Sequence, residues 1–136
     1  MILNDYLKPD KTVDIRDIPI QGLAHVGDAV FELMVRTWLC TSGTSTARKL
    51  HDKAVTYVSA KAQAAAADRI IPELTEEESA VYKRGRNKHV NTVPKASTLG
   101  EYHAATGIEA LFGYLYMCGN IQRLNELFEI IIEVKD

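Results

Sequence analysis

Apolar residues in this chain recur at helical spacing, and no stretch of useful length alternates between apolar and polar positions. That pattern is typical of amphipathic helices and not of strands. We expect an irregular leader over residues 1–19, followed by a first helix over 20–41 that is apolar on nearly all sides. A helix of that kind belongs at the centre of a bundle or in an interface between subunits.

Turn and capping signals divide the rest of the chain. A Ser/Thr/Gly-rich turn follows the first helix, Pro72 ends the second, and Thr75 with Glu78 fits a capping box. The predicted elements are a second helix over 47–71, a third from Thr75 to about Arg84, a loop over 85–99, a fourth helix over 100–118 and a last helix from Ile121. The sequence therefore predicts an all-α fold of about five helices, with no sheet, as one domain over residues 20–136.

Composition narrows the class of protein. With 46% apolar and 25% charged residues the chain is globular, and its formal net charge of −2 provides no overall field that would attract a polyanion. Any nucleic-acid contact must come from a local patch. No signal peptide is apparent and no uncharged stretch reaches the ~18 residues of a membrane helix, so we expect a cytoplasmic protein with no membrane partner. Cys40 and Cys118 fit apolar helical patterns and are interpreted as reduced core cysteines.

Two acids interrupt apolar helices far apart in the sequence: Asp28 in the first helix and Glu109 in the fourth. An ionised carboxylate is costly to bury without a partner. Small residues beside them, such as Gly27 and Gly113, would let the two helices pack closely and bring the acids to one ion. Hard oxygen ligands favour Mg²⁺ or Mn²⁺ over Zn²⁺. The alternative is that each acid caps a helix or pairs with a neighbouring cation, Arg36 or Lys61.

For Glu32 the spacing favours a structural role. It lies four residues before Arg36 on the same helix, which is the spacing of a surface ion pair. We therefore expect Glu32 to pair with Arg36 and leave it out of the candidate metal site.

A basic segment follows the third helix. A solvated charged turn is the default interpretation of such a run, but Gly85 between two arginines indicates a phosphate contact, because a flexible backbone lets both guanidinium groups face one phosphate. The candidate polyanion-binding residues are Lys83, Arg84, Arg86, Asn87, Lys88 and Lys95. This segment predicts contact with a polyanion and not the reading of a base sequence.

Four blocks in order resemble the ribonuclease III family, and in particular its short form, Mini-ribonuclease III. They cover roughly residues 20–130. The blocks are Leu-Ala-His-Val-Gly-Asp-Ala-Val-Phe-Glu at 23–32, Val-Ser-Ala-Lys-Ala-Gln-Ala at 58–64, Lys-Arg-Gly-Arg-Asn at 83–87 with Thr-Val-Pro-Lys at 92–95, and Ile-Glu-Ala-Leu-Phe-Gly-Tyr-Leu at 108–115. One block would be a weak signal, whereas four at compatible spacing are a strong one.

The resemblance implies an all-helical homodimer that cuts double-stranded RNA with Mg²⁺ and leaves 5′-phosphate and 3′-hydroxyl ends. Asp28 matches the catalytic aspartate of the family and Glu109 its metal-binding glutamate. The short form lacks the double-stranded RNA-binding domain of larger relatives and matures the ends of 23S ribosomal RNA in bacteria. The resemblance leaves open which RNA sequence is preferred and whether a ribosomal protein assists. For the dimer interface we expect the broadly apolar first helix, through Phe31, Trp38 and Leu39.

Two positions depart from the pattern of the larger enzymes. Acids expected four residues before Asp28 and three before Glu109 are replaced by Ala24 and Thr106. One firmly held Mg²⁺ is therefore expected in place of two. Two other hypotheses stay open: a non-catalytic RNA-binding or ribosome-associated module that retains the fold, and a helical interaction domain unrelated to RNA.

Overall fold

The computed structural model describes residues 5–10, 12–43, 46–88, 95 and 97–133. These residues form six α-helices and two single-turn 3₁₀ helices (Ile15–Asp17 and Ile71–Glu73), with no strand among them. The α-helices are α1 (Ile20–Thr41), α2 (Ala47–Val58), α3 (Ala60–Ile70), α4 (Glu76–Arg86), α5 (Leu99–Met117) and α6 (Ile121–Glu133). The predicted all-α class is confirmed.

Helix α5 is the central element, because α1, α3, α4 and α6 all pack against it. Its sequence is apolar around most of its circumference, as such a position requires. Phe31 of α1 makes edge-to-face contacts with Phe112 of α5 and Phe128 of α6, at centroid distances of 5.2 and 6.0 Å. This aromatic cluster is the centre of the core and fixes α1 and α6 on neighbouring sides of α5.

Two helix boundaries differ from the sequence-based prediction. The single helix expected over 47–71 is broken at Ser59, whose backbone is extended (ψ 155°) and whose hydroxyl accepts from the Ala62 N–H at the start of α3. The buried Gln63 side chain donates to the Val58 carbonyl at 3.2 Å and holds the two helices together at this bend. Helix α4 ends at Arg86, so Gly85 lies in its last turn and outside the predicted loop.

Burial corrects the expected dimer interface. Phe31 and Leu39 are 1% and 4% exposed, so both belong to the core of this chain and cannot meet a partner. Trp38 is half-buried and packs edge-to-face on Tyr57 at 5.2 Å. The prediction failed because a helix that is apolar all round does not reveal which side its own chain covers.

The two cysteines are a second correction. Cys40 and Cys118 are exposed free thiols, where core cysteines were expected.

The start of α4 is tied to α6 by a buried ion pair. Arg123 donates to both carboxylate oxygens of Glu78, at 2.8 and 2.9 Å, and to the Glu73 carbonyl at 2.8 Å. Glu78 also completes the predicted capping box with Thr75. Burial raises the pKa of Glu78, but the hydrogen bonds from Arg123 and Thr75 outweigh burial and hold that pKa below its ordinary value. The orientation of α4 is therefore fixed at its amino-terminal end.

The leader contacts the domain near the end of α5, where the Tyr116 hydroxyl donates to the Leu7 carbonyl. Within the described residues, none of the helices combines the length and the apolar character needed to cross a bilayer.

Candidate active site

Helices α1 and α5 touch through their backbones. A Cβ added to Gly27 would overlap the Glu109 carbonyl oxygen and lie 2.6 Å from the backbone nitrogen of Gly113. A Cβ on Gly113 would likewise overlap the carbonyl oxygen of Leu23. Only glycine allows such an approach at these two positions. Asp28 follows Gly27 on α1, and Glu109 is the residue of α5 that Gly27 contacts. The two acids therefore stand where the main chains of the two helices touch.

The two acids lie close enough for their carboxyl groups to interact directly. Burial raises the pKa of Glu109 to about 8, and the charge of Asp28 and a hydrogen bond with its side chain add to the rise. Asp28 is on the exposed side of the pair, whereas Glu109 is half-buried. The predicted convergence of the two acids is thus present in the structure, on a surface that solvent reaches.

Neither acid has a cation partner among the described residues. Of the two cations that the ion-pair alternative offered, Lys61 forms no ion pair with either acid, and Arg36 binds Glu32 at 2.9 Å, which confirms the structural role expected for Glu32. In the described part of the chain no cluster of three His, Cys, Asp or Glu residues is present, so the candidate ion site consists of two carboxylates. An uncompensated pair of carboxylates is the arrangement that a divalent cation stabilises.

The positions of the two missing acids are occupied by packing residues. Ala24 is buried with Val81 of α4 and Ala110 of α5. Thr106 is buried, and its hydroxyl donates to the Tyr102 carbonyl one turn earlier at 3.0 Å. Neither position carries a carboxylate, so the number of ions stays a prediction.

The basic residues are more widely spread than the sequence suggested. Gly85 is buried in helix α4, where an added Cβ would lie 2.6 Å from the Ala110 Cβ and 2.9 Å from the Thr106 carbonyl oxygen. Its role is therefore close packing of α4 on α5, and the predicted flexible Arg-Gly-Arg loop is wrong. Lys83 and Arg84 are exposed and, as successive helical residues, diverge by about 100°. These cations cannot all face one phosphate group.

Of the remaining candidates, Lys88 is half-buried and Lys95 exposed. Arg86 and Asn87 line a pocket of about 440 Å³ together with Gly100 and His103. Sequence reasoning missed His103. Its signal was the helical register, because His103 lies three and four residues before Thr106 and Gly107, which face α4.

A family model described as the ribonuclease III domain matches residues 21–120, which include both acids and the basic end of α4. The chain belongs to the ribonuclease III family. It is therefore an endonuclease that hydrolyses RNA, in agreement with the resemblance stated above.

Relatives and a solved structure agree with this family. The chain is 44% identical over 112 residues to the Mini-ribonuclease 3 of Thermoanaerobacter sp. (strain X514), covering 82% of this chain and 79% of the relative. It is 41% identical to the Mini-ribonuclease 3 of Streptococcus pneumoniae, covering 89% and 96%. A crystal structure of a protein from Fusobacterium nucleatum superposes with a TM-score of 0.81 at 32% identity and covers 88% of this chain and 92% of that one.

Proposed function

We propose that this chain cleaves double-stranded RNA with Mg²⁺, for which Mn²⁺ can substitute, and leaves 5′-phosphate and 3′-hydroxyl ends. The observation that carries the proposal is the pair of carboxylates, Asp28 and Glu109, held together by helices in backbone contact in a chain of the ribonuclease III family. The donor set fits the metal, because Mg²⁺ prefers oxygen ligands and is often held by one or two carboxylates while it keeps several waters.

Asp28 and Glu109 would hold one ion. When bound, Mg²⁺ supplies a Lewis acid at the phosphate and a water of lowered pKa. Asp28, on the solvent side, orients the water that attacks phosphorus. The water forms a bond to phosphorus and releases a proton to solvent, while the bond from phosphorus to the 3′ oxygen breaks. That oxygen takes a proton from solvent, and the phosphate stays on the 5′ end of the next nucleotide. Glu109 holds its carboxylate at a fixed position beside Asp28, because its backbone packs directly on Gly27.

Recognition of the duplex falls to the exposed cations near the end of α4. Duplex RNA is recognised mostly by shape, through phosphates and 2′-hydroxyl groups. We propose the following contacts to the RNA backbone: Lys83, Arg84, Arg86, Asn87, Lys88 and Lys95. Because Lys83 and Arg84 diverge around α4 and the other candidates follow its end, the set can contact a curved backbone and not only a single phosphate.

We further propose a homodimer whose interface is the exposed face of α1. Leu33 is 62% exposed, and it lines an apolar groove of about 470 Å³ with Met34, Trp38 and Phe128. In a twofold interface the same patch occurs on both subunits. The exposed Leu33 of each subunit could therefore enter the groove of the other. The two strands of a duplex would then each meet one acidic pair.

The proposal is tested by incubating the purified chain with an end-labelled duplex in Mg²⁺ or in EDTA. Asp28→Asn and Glu109→Gln are expected to slow cutting by at least about a hundredfold, as when one group at a reacting centre is removed. Both should still bind the duplex. Glu32→Gln is the matched control. Glu32 lies on the same face of α1 as Asp28 but is paired with Arg36, so this variant should cut at the parental rate. Cutting in EDTA, or undiminished cutting by Asp28→Asn, would refute the proposal.

Binding of the duplex without cutting by the parental chain would instead support a non-catalytic module.

For the physiological substrate we propose the precursor of 23S ribosomal RNA in the cytoplasm, with or without help from a ribosomal protein, as the sequence resemblance implies. Primer extension on RNA from cells that lack the gene should show 23S ends that are longer than in the parent. Ends of unchanged length would contradict that substrate.

A further inference from the structure

The pocket between the end of α4 and the start of α5 is built from donors. We call it the His103 pocket and define it by Arg86, Asn87, Gly100 and His103. None of the ion pairs formed by the described residues involves Arg86. Its Nε donates to the Asn87 Oδ1 at 3.2 Å, and its guanidinium carbon lies 5.9 Å from the centre of the Tyr82 ring. The guanidinium group is therefore held in place while no described residue accepts from its terminal nitrogens.

His103 contributes a buried polar atom that nothing in the described chain satisfies. The Nδ1 atom of His103 is inaccessible to solvent and has no hydrogen-bond partner there. Buried polar atoms in folded proteins almost always have a partner, so this one marks a hydrogen bond that the described chain does not supply. His103 also lines the pocket, so its ring is within reach of a ligand there. The neighbouring acid, Glu101, is already committed, because its carboxylate accepts from the Thr98 N–H at 3.0 Å.

The floor of the pocket adds backbone donors. Gly100 lies in the first turn of α5, where the cap hydroxyl of Thr98 accepts only from the Glu101 N–H. Early N–H groups of a helix have no partner within the helix and favour an anion. A Cβ added to Gly100 meets nothing within 4 Å, so the space beside this backbone is open.

We propose that the His103 pocket binds a second phosphate group of the RNA backbone, with His103 as a binding residue. Arg86 supplies the charge, and Asn87, His103 and the Gly100 backbone supply further donors, a set that suits the oxygens of a phosphodiester. His103 lies about 9 Å from Glu109 along the axis of α5 and about 120° around it, so an RNA backbone that crosses α5 at an angle can reach both sites. This inference rests on the proposed function, since it needs the RNA to lie across α5.

The test places a negative charge in the pocket. Gly100→Asp and Gly100→Asn differ by one charge and fit the same open space, and an acid in the first turn favours the helix. Both are made in the Asp28→Asn background and their affinity for duplex RNA is measured across salt concentrations. Gly100→Asp should bind about tenfold more weakly than Gly100→Asn and lower the slope of log Kd against log salt by about one. The difference between the two variants isolates the charge, because their side chains have the same size.

His103 is tested separately. His103→Ala should weaken binding by about tenfold, the effect of losing a hydrogen bond to a charged group, and His103→Arg should restore it. Equal affinities for the two Gly100 variants, while the parental chain binds and cuts normally, would overturn this inference alone. A parental chain that does not bind duplex RNA would overturn both the inference and the proposed function. If His103→Ala does not fold, the Gly100 pair decides.

Discussion

The backbone contact between α1 and α5 gives a prediction with a calculable cost. In Gly27→Ala the added Cβ would overlap the Glu109 carbonyl oxygen and lie 2.6 Å from the nitrogen of Gly113, and both are backbone atoms that no side-chain rotation can move. Carbon atoms settle at about 3.5–4 Å from their neighbours, so the two helices must separate by roughly 1.5 Å. Forced insertion into a packed contact costs up to about 3 kcal/mol, and we expect the upper end because the obstacle is main chain.

For a chain of 136 residues this cost corresponds to a fall in Tm of roughly 10 °C. The same separation moves Asp28 relative to Glu109, and a displacement of about 1 Å at a reacting centre can cost a hundredfold in rate. Differential scanning calorimetry measures the first effect, and cutting of a labelled duplex well below the new Tm measures the second.

Gly100→Ala is the matched control. It also replaces a helical glycine, but its Cβ meets nothing within 4 Å, so it should raise the stability by about 0.5–1 kcal/mol. If Gly27→Ala melts within about 2 °C of the parent and cuts at the parental rate, the proposed role of this contact is wrong.

Three further predictions follow from the charges and the exposed apolar face. Because the pKa of Glu109 is raised from 4.5 to about 8 in the folded chain, the stability measured in EDTA should fall as the pH rises through that window, and Glu109→Gln should remove the fall in pH-dependent urea titrations. Arg123→Ala leaves the buried Glu78 carboxylate unpaired and should cost about 3 kcal/mol by urea denaturation; a cost under about 1 kcal/mol would contradict the assigned role. Leu33→Glu should yield a mass near 15.1 kDa by light scattering where the parent gives twice that, and a parent that is already monomeric would refute the interface.

The elements that sequence reasoning located well are those with local causes. The capping box of Thr75 and Glu78 and the spacing of apolar residues on α1 and α5 act within one helix, so the sequence contains the whole cause. Asp28 and Glu109 were found because each is an acid in an apolar helix, and the small residues beside them indicated close packing. Their catalytic role stays a prediction.

Most of the errors concern features that depend on a distant partner. The break at Ser59 is the exception, because its signals are local: the residues at 55–58 are weak helix formers, and the Ser59 hydroxyl caps α3. Gly85 can serve flexibility or close packing, and only the position of Ala110 decides between them. His103 could not be singled out without the register of α4 on α5. For Phe31 the sequence contains no sign of which side the chain itself covers.

The glycines that set the acidic pair and the cations exposed on α4 are different residues, which has a consequence for protein engineering. The distance between Asp28 and Glu109 depends on Gly27 and Gly113, whereas Lys83 and Arg84 are exposed on α4 and take no part in that contact. Randomising positions 83 and 84 should therefore change the affinity for RNA while the geometry of the acidic pair is kept. A search that included Gly27 or Gly113 would recover almost no active clones.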